Sequence, residues 1–108
     1  MQVITTKITQ NPAIVKFELD EIIVRTENFE FKNIDETQNS PLAKQLFFLP
    51  FVKTVYISGN FIAIEKFSIV EWEDVQEDVA NQINEFISNG GEIIKIDETK
   101  TKKQPITV

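Results

Sequence analysis

Residues 40–66 constrain the fold more than any other stretch, because a helix start, a proline stop and a hairpin follow one another there. Ser40 can cap a helix by accepting a backbone N–H bond, and Pro41 suits the first helical position, where no N–H is needed. Pro50 then ends that helix. The β-branched and aromatic residues that follow flank Gly59-Asn60, a pair typical of a two-residue hairpin turn with positive φ. The stretch therefore predicts a helix followed by two paired strands.

The predicted turn also fixes the register of the two strands. It places two aliphatic pairs on one face of the sheet, Ile57 with Ile62 and Val55 with Ile64. On the other face Tyr56 should lie beside Ala63, because successive side chains alternate between faces. One face of this hairpin is therefore apolar enough to belong to a core.

Alternating apolar residues predict further strands on both sides of this stretch. The predicted strands are residues 3–9, 13–19, 22–24, 29–32 and 92–96. In the first of them, Ile4, Thr6 and Ile8 should share one side of the sheet. Between the first two strands, Asn11-Pro12 is typical of a turn.

A second helix is predicted from Trp72 to Asn89, and it is the most regular amphipathic segment of the chain. Apolar residues recur on one side at helical spacing: Trp72, Val75, Val79, Ile83, Phe86 and Ile87. The opposite side is acidic and carries no base, so this helix should depend on the packing of its apolar stripe. Gly90-Gly91 suits a left-handed cap at its C-terminus.

Together these elements predict an α+β domain, a two-layer sandwich with a mainly antiparallel sheet. The order is strand meander, helix, hairpin, helix and short strand, and both helices should pack on one face of the sheet. We assign residues 1–97 to this domain and residues 98–108 to a linker, since the chain is polar from Asp97 to Gln104. The last four residues are β-like again, which favours a linker that leads into a further domain.

The composition excludes several kinds of function, because the chain has neither cysteine nor histidine. Thiolate and imidazole metal sites, cysteine nucleophiles and imidazole general bases are therefore ruled out. With 11 basic and 17 acidic residues, the net charge of −6 repels phosphate backbones, so we expect no nucleic-acid partner. No apolar run is long enough to span a membrane, and no secretory signal is visible. We therefore expect no membrane partner and a cytoplasmic location.

Several short motifs occur in an order and at spacings that match one protein family. They are Asn11-Pro12 with Lys16-Phe17, Ser40-Pro41-Leu42-Ala43, Leu46-Phe47 with Pro50 and Val52, Phe61-Ile62, and Trp72-Glu73. This set resembles the N-terminal domain of Nfu/NifU-type iron–sulfur cluster scaffold proteins, from about Val3 to Ile96. The chain departs from the family pattern at Ala13, and at Phe48 and Phe51, where relatives often have a polar residue and a glycine.

The resemblance implies a non-catalytic accessory domain in iron–sulfur cluster assembly, with a role in partner docking or targeting. In many relatives this domain is fused to a C-terminal Cys-x-x-Cys domain, which holds the cluster. The implied partners are that cluster-bearing domain, client apoproteins and assembly factors. The resemblance implies no cofactor in this chain, in agreement with its lack of cysteine.

The candidate partner-binding residues are Asn11, Pro12, Lys16, Lys44, Phe48 and Phe51. Asn11-Pro12 is first of all a structural turn, although surface loops also carry binding residues. Phe48 lies opposite the apolar side of its helix, so it is either covered by another element or exposed to a partner. Two alternatives remain open. One is a standalone interaction module that self-associates through Phe48 and Phe51, and the other is a carboxylate-based metal-binding domain or enzyme.

Overall fold

A computed structural model describes residues 1–95 as an antiparallel sheet with two α-helices packed on one face. In chain order the elements are β1 (Val3–Ile8), β2 (Ile14–Leu19), β3 (Asn28–Phe31), a 3₁₀ helix (Ile34–Glu36), α1 (Pro41–Phe47), β4 (Val52–Ser58), β5 (Phe61–Lys66) and α2 (Trp72–Ser88). The strand order across the sheet is β1-β2-β5-β4-β3, and neighbouring strands are antiparallel. The predicted α+β class is confirmed. The predicted linker, residues 98–108, lies outside the described residues.

The β4–β5 hairpin has the register that its turn predicts. All the predicted pairs are present: Ile57 with Ile62, Val55 with Ile64, and Tyr56 with Ala63. Gly59 has a φ of 52°, whereas Asn60 has no positive φ. The turn therefore needs a left-handed residue only at its first position, as in type II′ turns, and glycine adopts that conformation without a steric penalty.

One face of the sheet is apolar and lies under the helices; we call it the covered face. Two rows of cross-strand partners form it, Val15, Ile64, Val55 and Phe31 in one row and Phe17, Ile62, Ile57 and Phe29 in the other. All of these are buried except Phe29, which is half-buried. Leu42 and Leu46 of α1 and Ile83 of α2 belong to the same core. The ring of Trp72 packs edge-on against Phe17, with 5.9 Å between the ring centroids.

Ser40 fixes the start of α1 and also holds a distant part of the chain. Its hydroxyl oxygen accepts a hydrogen bond from the Ala43 N–H at 3.0 Å, as predicted for a helix cap. The same hydroxyl donates to the carbonyl oxygen of Ile93 at 2.6 Å. Since Ser40 is fully buried, this one side chain joins α1 to the segment that follows α2.

Three of the six residues in the predicted apolar stripe of α2 are buried and the other three are half-buried, and the helix ends at the predicted glycines. Trp72, Val79 and Ile83 are buried along it. At its C-terminus Gly90 has a φ of 88°. The Gly90 and Gly91 N–H groups donate to carbonyl oxygens in the last turn of the helix, at 3.0 and 2.9 Å, which is the bond pattern of a Schellman motif. Neither α-helix in residues 1–95 is long and apolar enough to cross a membrane.

Two predicted strands are wrong because long-range hydrogen bonds decide the conformation of these segments. Residues 22–24 form a loop, in which the N–H groups of Ile23 and Val24 donate to the Gly59 carbonyl oxygen at 2.7 and 3.1 Å. Residues 92–95 do not form a strand either. Instead, the Lys95 N–H donates to the Asn39 carbonyl oxygen at 2.6 Å. The remaining residue of that predicted strand lies outside the described range.

The predicted alternation in β1 is also wrong at one position. The register between β1 and β2 shifts between Val3 and Thr5, so the strand carries a bulge at Ile4. Val3 rather than Ile4 pairs with Leu19 on the covered face, and Ile4 is left 57% exposed. A bulge adds one residue to a strand and so reverses the side on which the preceding residues lie.

Candidate protein-docking site

The six residues predicted to bind a partner do not form one site. Asn11 and Pro12 lie in the β1–β2 turn, Lys16 on the sheet face opposite the helices, Lys44 on α1, Phe48 just after α1, and Phe51 in the core. The structure therefore separates two surfaces that could each contact a protein, one around Phe48 and one around Lys16.

The turn at Asn11-Pro12 is explained by its own hydrogen bonds. The Asn11 side-chain oxygen accepts from the Ala13 N–H at 2.9 Å, and this local bond is typical of an Asx turn. The Ala13 carbonyl oxygen accepts from Trp72 Nε1 at 2.8 Å and from the Lys66 N–H at 3.0 Å. These bonds attach the turn to the start of α2 and to the end of β5. Asn11 and Pro12 themselves remain exposed.

Phe51 belongs to the core, not to the surface. Only 8% of the residue is exposed, and its ring packs edge-on against Trp72 with 6.2 Å between centroids. Its carbonyl oxygen accepts a hydrogen bond from the Phe67 N–H at 2.8 Å. The expectation that Phe51 contacts a partner is therefore not supported, because its apolar surface is already used to pack the aromatic end of the core.

Three large apolar side chains are exposed where α1 ends and α2 begins, and we call them the apolar end. They are Phe48, 62% exposed, Phe67, 46% exposed, and Ile69, 66% exposed. Phe48 follows α1, while the other two lie in the β5–α2 loop, and the bond between Phe67 and Phe51 joins the two segments. Lys44 lies one helical turn before Phe48, so a basic side chain borders this surface.

The sequence interpretation found Phe48 but missed Phe67 and Ile69. The available signal was the run from Phe67 to Val70, whose apolar residues continue neither the alternation of β5 nor the stripe of α2. Apolar residues that lie between two complete elements have no layer of their own to pack against. Such residues are candidates for exposure, and a group of them indicates a contact surface.

The second surface is the sheet face opposite the helices, and we call it the open face. Side chains from four strands contribute to it, Ile14 and Lys16 on β2, Phe61 and Ala63 on β5, Tyr56 on β4 and Glu30 on β3. They line a shallow groove of about 550 Å³. Lys16 Nζ lies 4.2 Å from the centroid of the Phe61 ring, which is a cation–π contact.

The charges of the open face are unevenly distributed. Burial and then the negative charges of Glu65 and Glu30 raise the pKa of Tyr56 above its usual value. Glu65 is itself paired with Lys53 at 3.9 Å. The ion pairs found in residues 1–95 include neither Lys16 nor Glu30. Apart from the contact between Lys16 and the Phe61 ring, the basic group on β2 and the acidic group on β3 are therefore available for a partner.

The acidic composition does not build a metal site in the described part of the chain. Within it, no group of three or more histidine, cysteine, aspartate or glutamate side chains could hold a metal ion. The alternative of a carboxylate-based metal-binding domain or enzyme thus has no supporting side-chain cluster in residues 1–95. Both surfaces described above are instead suited to protein contact, because they combine apolar side chains with bordering charges.

The sequence and the fold agree in placing this chain in one family. The sequence profile described as "Scaffold protein Nfu/NifU N terminal" matches residues 4–90. The chain belongs to this family, and the resemblance inferred from its sequence motifs is confirmed. It is thereby an N-terminal domain of the iron–sulfur cluster scaffold class.

Individual relatives and a solved structure support this assignment. The chain is similar to the mitochondrial NFU1 iron-sulfur cluster scaffold homologs of Drosophila willistoni, at 32% identity, and Homo sapiens, at 31%. Each match spans 88 residues, or 81% of this chain and 30% and 35% of those proteins, so the chain spans about a third of their length. The solution structure of a NifU-like protein from Saccharomyces cerevisiae has a TM-score of 0.72 and 25% identity, covering 86% of this chain and 85% of that one.

The expectation of a cytoplasmic location is wrong, because these NFU1 relatives are named as mitochondrial proteins. That expectation was based on the absence of a secretory signal. Segments that direct import into mitochondria are different, since they are amphipathic and rich in arginine and serine. The absence of a secretory signal therefore says nothing about mitochondrial import.

Proposed function

We propose that this chain is a non-catalytic accessory domain of an iron–sulfur cluster scaffold protein, and that it docks protein partners through the apolar end. The partners are a separate cluster-bearing Cys-x-x-Cys domain and the apoproteins or assembly factors with which clusters are exchanged. The observation that carries this proposal is the exposure of Phe48, Phe67 and Ile69 on a domain of the Nfu/NifU scaffold family.

The apolar end offers enough surface for a reversible complex. Burying a large apolar side chain completely contributes about 1.5–3 kcal/mol, and these three residues still expose roughly half of their surface. Their combined burial would contribute a few kcal/mol before the cost of association is subtracted. A contact of this strength suits a scaffold, because a scaffold must release the protein to which it passes its cargo.

The segments that carry the apolar end are anchored to the core, which favours binding. Phe51, three residues after Phe48 in the chain, packs against Trp72, and Trp72 packs against Phe17 on the covered face. The exposed side chains are therefore presented by segments that the core already holds in place, so less conformational entropy is lost when a partner binds. Lys44 at the border favours a partner that has a carboxylate beside its apolar contact.

The composition of the chain supports the proposal that a second domain, and not this one, holds the cluster. Iron–sulfur clusters are held by cysteine thiolates, or by imidazoles in some centres, and this chain contains neither cysteine nor histidine. On this proposal the cluster is cargo that another domain carries. The present domain supplies no ligand and no catalytic group, and it acts by bringing proteins together.

An NMR titration tests the proposal directly. The ¹⁵N-labelled chain is titrated with a separately expressed Nfu-type Cys-x-x-Cys domain, in apo and cluster-loaded form, and then with iron–sulfur apoproteins. We expect amide shifts that saturate and that centre on Phe48 and on residues 67–71. The variant Ile69→Ser should weaken binding severalfold without changing the fold, because it removes an exposed apolar contact.

The matched control is Ile22→Ser, since Ile22 is also an exposed isoleucine, at 58% against 66% for Ile69, but lies in another loop. This variant should bind like the unaltered chain. The docking proposal fails if no probe shifts any amide at about 1 mM, where even a contact worth about 4 kcal/mol is half saturated. Equal weakening by both variants would place the contact elsewhere.

A further inference from the structure

The open face is complementary to a second copy of itself. Cross-strand pairing aligns five residues in one row from β1 to β3, Lys7, Lys16, Ala63, Tyr56 and Glu30. The row is basic at its β1–β2 side and acidic at its β3 side. Its two central strands, β5 and β4, present a small side chain beside a large aromatic one. A rotation that reverses the strand order therefore matches unlike charges and unlike sizes.

We propose that two copies of this chain associate through their open faces, about a twofold axis that runs along the strands between β4 and β5. This rotation places β2 of each copy over β3 of the other, and β5 over β4. Lys16 of one copy then faces Glu30 of its partner, and Tyr56 of one copy faces Ala63 of its partner. Each contact occurs twice, as in any interface that uses one patch on both copies.

The neighbouring rows fit the same axis. Glu18, Phe61, Ser58 and Asn28 form the next row from β2 to β3. The rotation sets Glu18 opposite Asn28 and Phe61 opposite Ser58, so no like charges meet. In the row on the other side of Lys16, the rotation sets Glu65 of one copy opposite Thr54 of its partner. These two residues are cross-strand neighbours within each chain. An axis perpendicular to the strands would instead place Lys16 against Lys16, so the charge pattern favours the axis along the strands.

The size of the contact defines how strong this association can be. Four overlapping strands, at about 4.8 Å spacing and about 3.3 Å per residue, give a patch of roughly 20 by 20 Å. Two such patches amount to about 800 Å², which is the range of weak, transient interfaces. We therefore expect self-association at high protein concentration that weakens as salt screens the charge pairs. The open face is a different surface from the apolar end, so the two proposals can fail separately.

Charge exchange between Lys16 and Glu30 tests the proposal. Sedimentation of the unaltered chain at low salt, up to about 1 mM, should show a reversible monomer–dimer equilibrium. Lys16→Glu and Glu30→Lys should each weaken it at least about tenfold, because two attractive pairs become repulsive. The double variant should restore dimers, and an equimolar mixture of the two single variants should form heterodimers.

The matched control is Glu85→Lys, which makes the same charge change as Glu30→Lys but on the exposed side of α2, and it should leave the equilibrium unchanged. A chain that stays monomeric up to about 1 mM overturns the proposal. It is also overturned if Glu85→Lys weakens the dimer as much as Glu30→Lys does, or if the double variant fails to restore it. If Phe48→Ser abolishes the dimer while the variants at Lys16 and Glu30 keep it, the contact lies at the apolar end. Glu30 is exposed, so Glu30→Lys tests the contact even if Lys16→Glu fails to fold.

Discussion

The two faces of the sheet use the same strands but are built from opposite kinds of residue. On the covered face, two complete rows of cross-strand partners are aliphatic or aromatic from β2 to β3. On the open face, the rows mix lysine, glutamate, tyrosine and alanine. Because the helices bury one face, the folding free energy can come from that face alone. The other face is then free to carry charges that a core could not accommodate.

The largest effect should come from truncating a phenylalanine on the covered face. Phe17 is fully buried and packs against Trp72, so Phe17→Ala should lower the free energy of unfolding by about 3–5 kcal/mol. Phe61→Ala makes the same change on the open face, where it removes a cation–π contact worth about 1 kcal/mol or less. Urea unfolding of both variants measures the difference. Equal destabilisation would show that the open face also supports the fold.

A smaller effect is expected from removing the Ser40 hydroxyl, which joins α1 to the segment that follows α2. Ser40→Ala removes a helix cap and leaves the buried Ile93 carbonyl oxygen without its donor, at a cost of about 1–3 kcal/mol. The control is Ser58→Ala at the edge of the open face, whose hydroxyl bonds to the exposed Asn28 side chain. That change should cost no more than about 0.5 kcal/mol. Thermal unfolding checks both, and an unchanged midpoint for Ser40→Ala would contradict this role.

Local signals in the sequence were enough to predict the elements that form from neighbouring residues. The Gly59-Asn60 turn fixes the β4–β5 register, and the spacing of apolar residues fixes the buried side of α2. The two strands that were predicted wrongly share one cause. Residues 22–24 and 92–95 take their conformation from hydrogen bonds to Gly59, Ser40 and Asn39, which are distant in the chain. Periodicity carries no information about partners at that separation.

Local signals and long-range contacts also contribute differently to predicting the open face and the apolar end. The alternation of β2 already assigned Lys16 to a polar side, and helical geometry already separated Phe48 from its apolar side. The strand order β1-β2-β5-β4-β3 was not available from the sequence, and it alone places Lys16 and Glu30 on opposite sides of Tyr56 and Ala63. Burial of Phe51 was likewise hidden, because it depends on the position of Trp72 in a helix that begins 21 residues later.

The smallest expected effect concerns the electrostatics of the open face. Burial, Glu65 and Glu30 all raise the pKa of Tyr56 above its usual value of about 10. Tyr56 is the only tyrosine of the chain, so its ultraviolet titration reports this group alone. A raised folded-state pKa adds stability below pH 10 that is lost as the pH rises through the folded-state pKa. The free energy of unfolding should therefore fall as the pH rises above about 10. The variant Tyr56→Phe should remove this contribution to the pH dependence. Glu30→Gln should lower the pKa, whereas Glu85→Gln on α2 should not. A pKa at or below about 10 would show that the open face is less enclosed and less acidic around Tyr56 than the structure indicates.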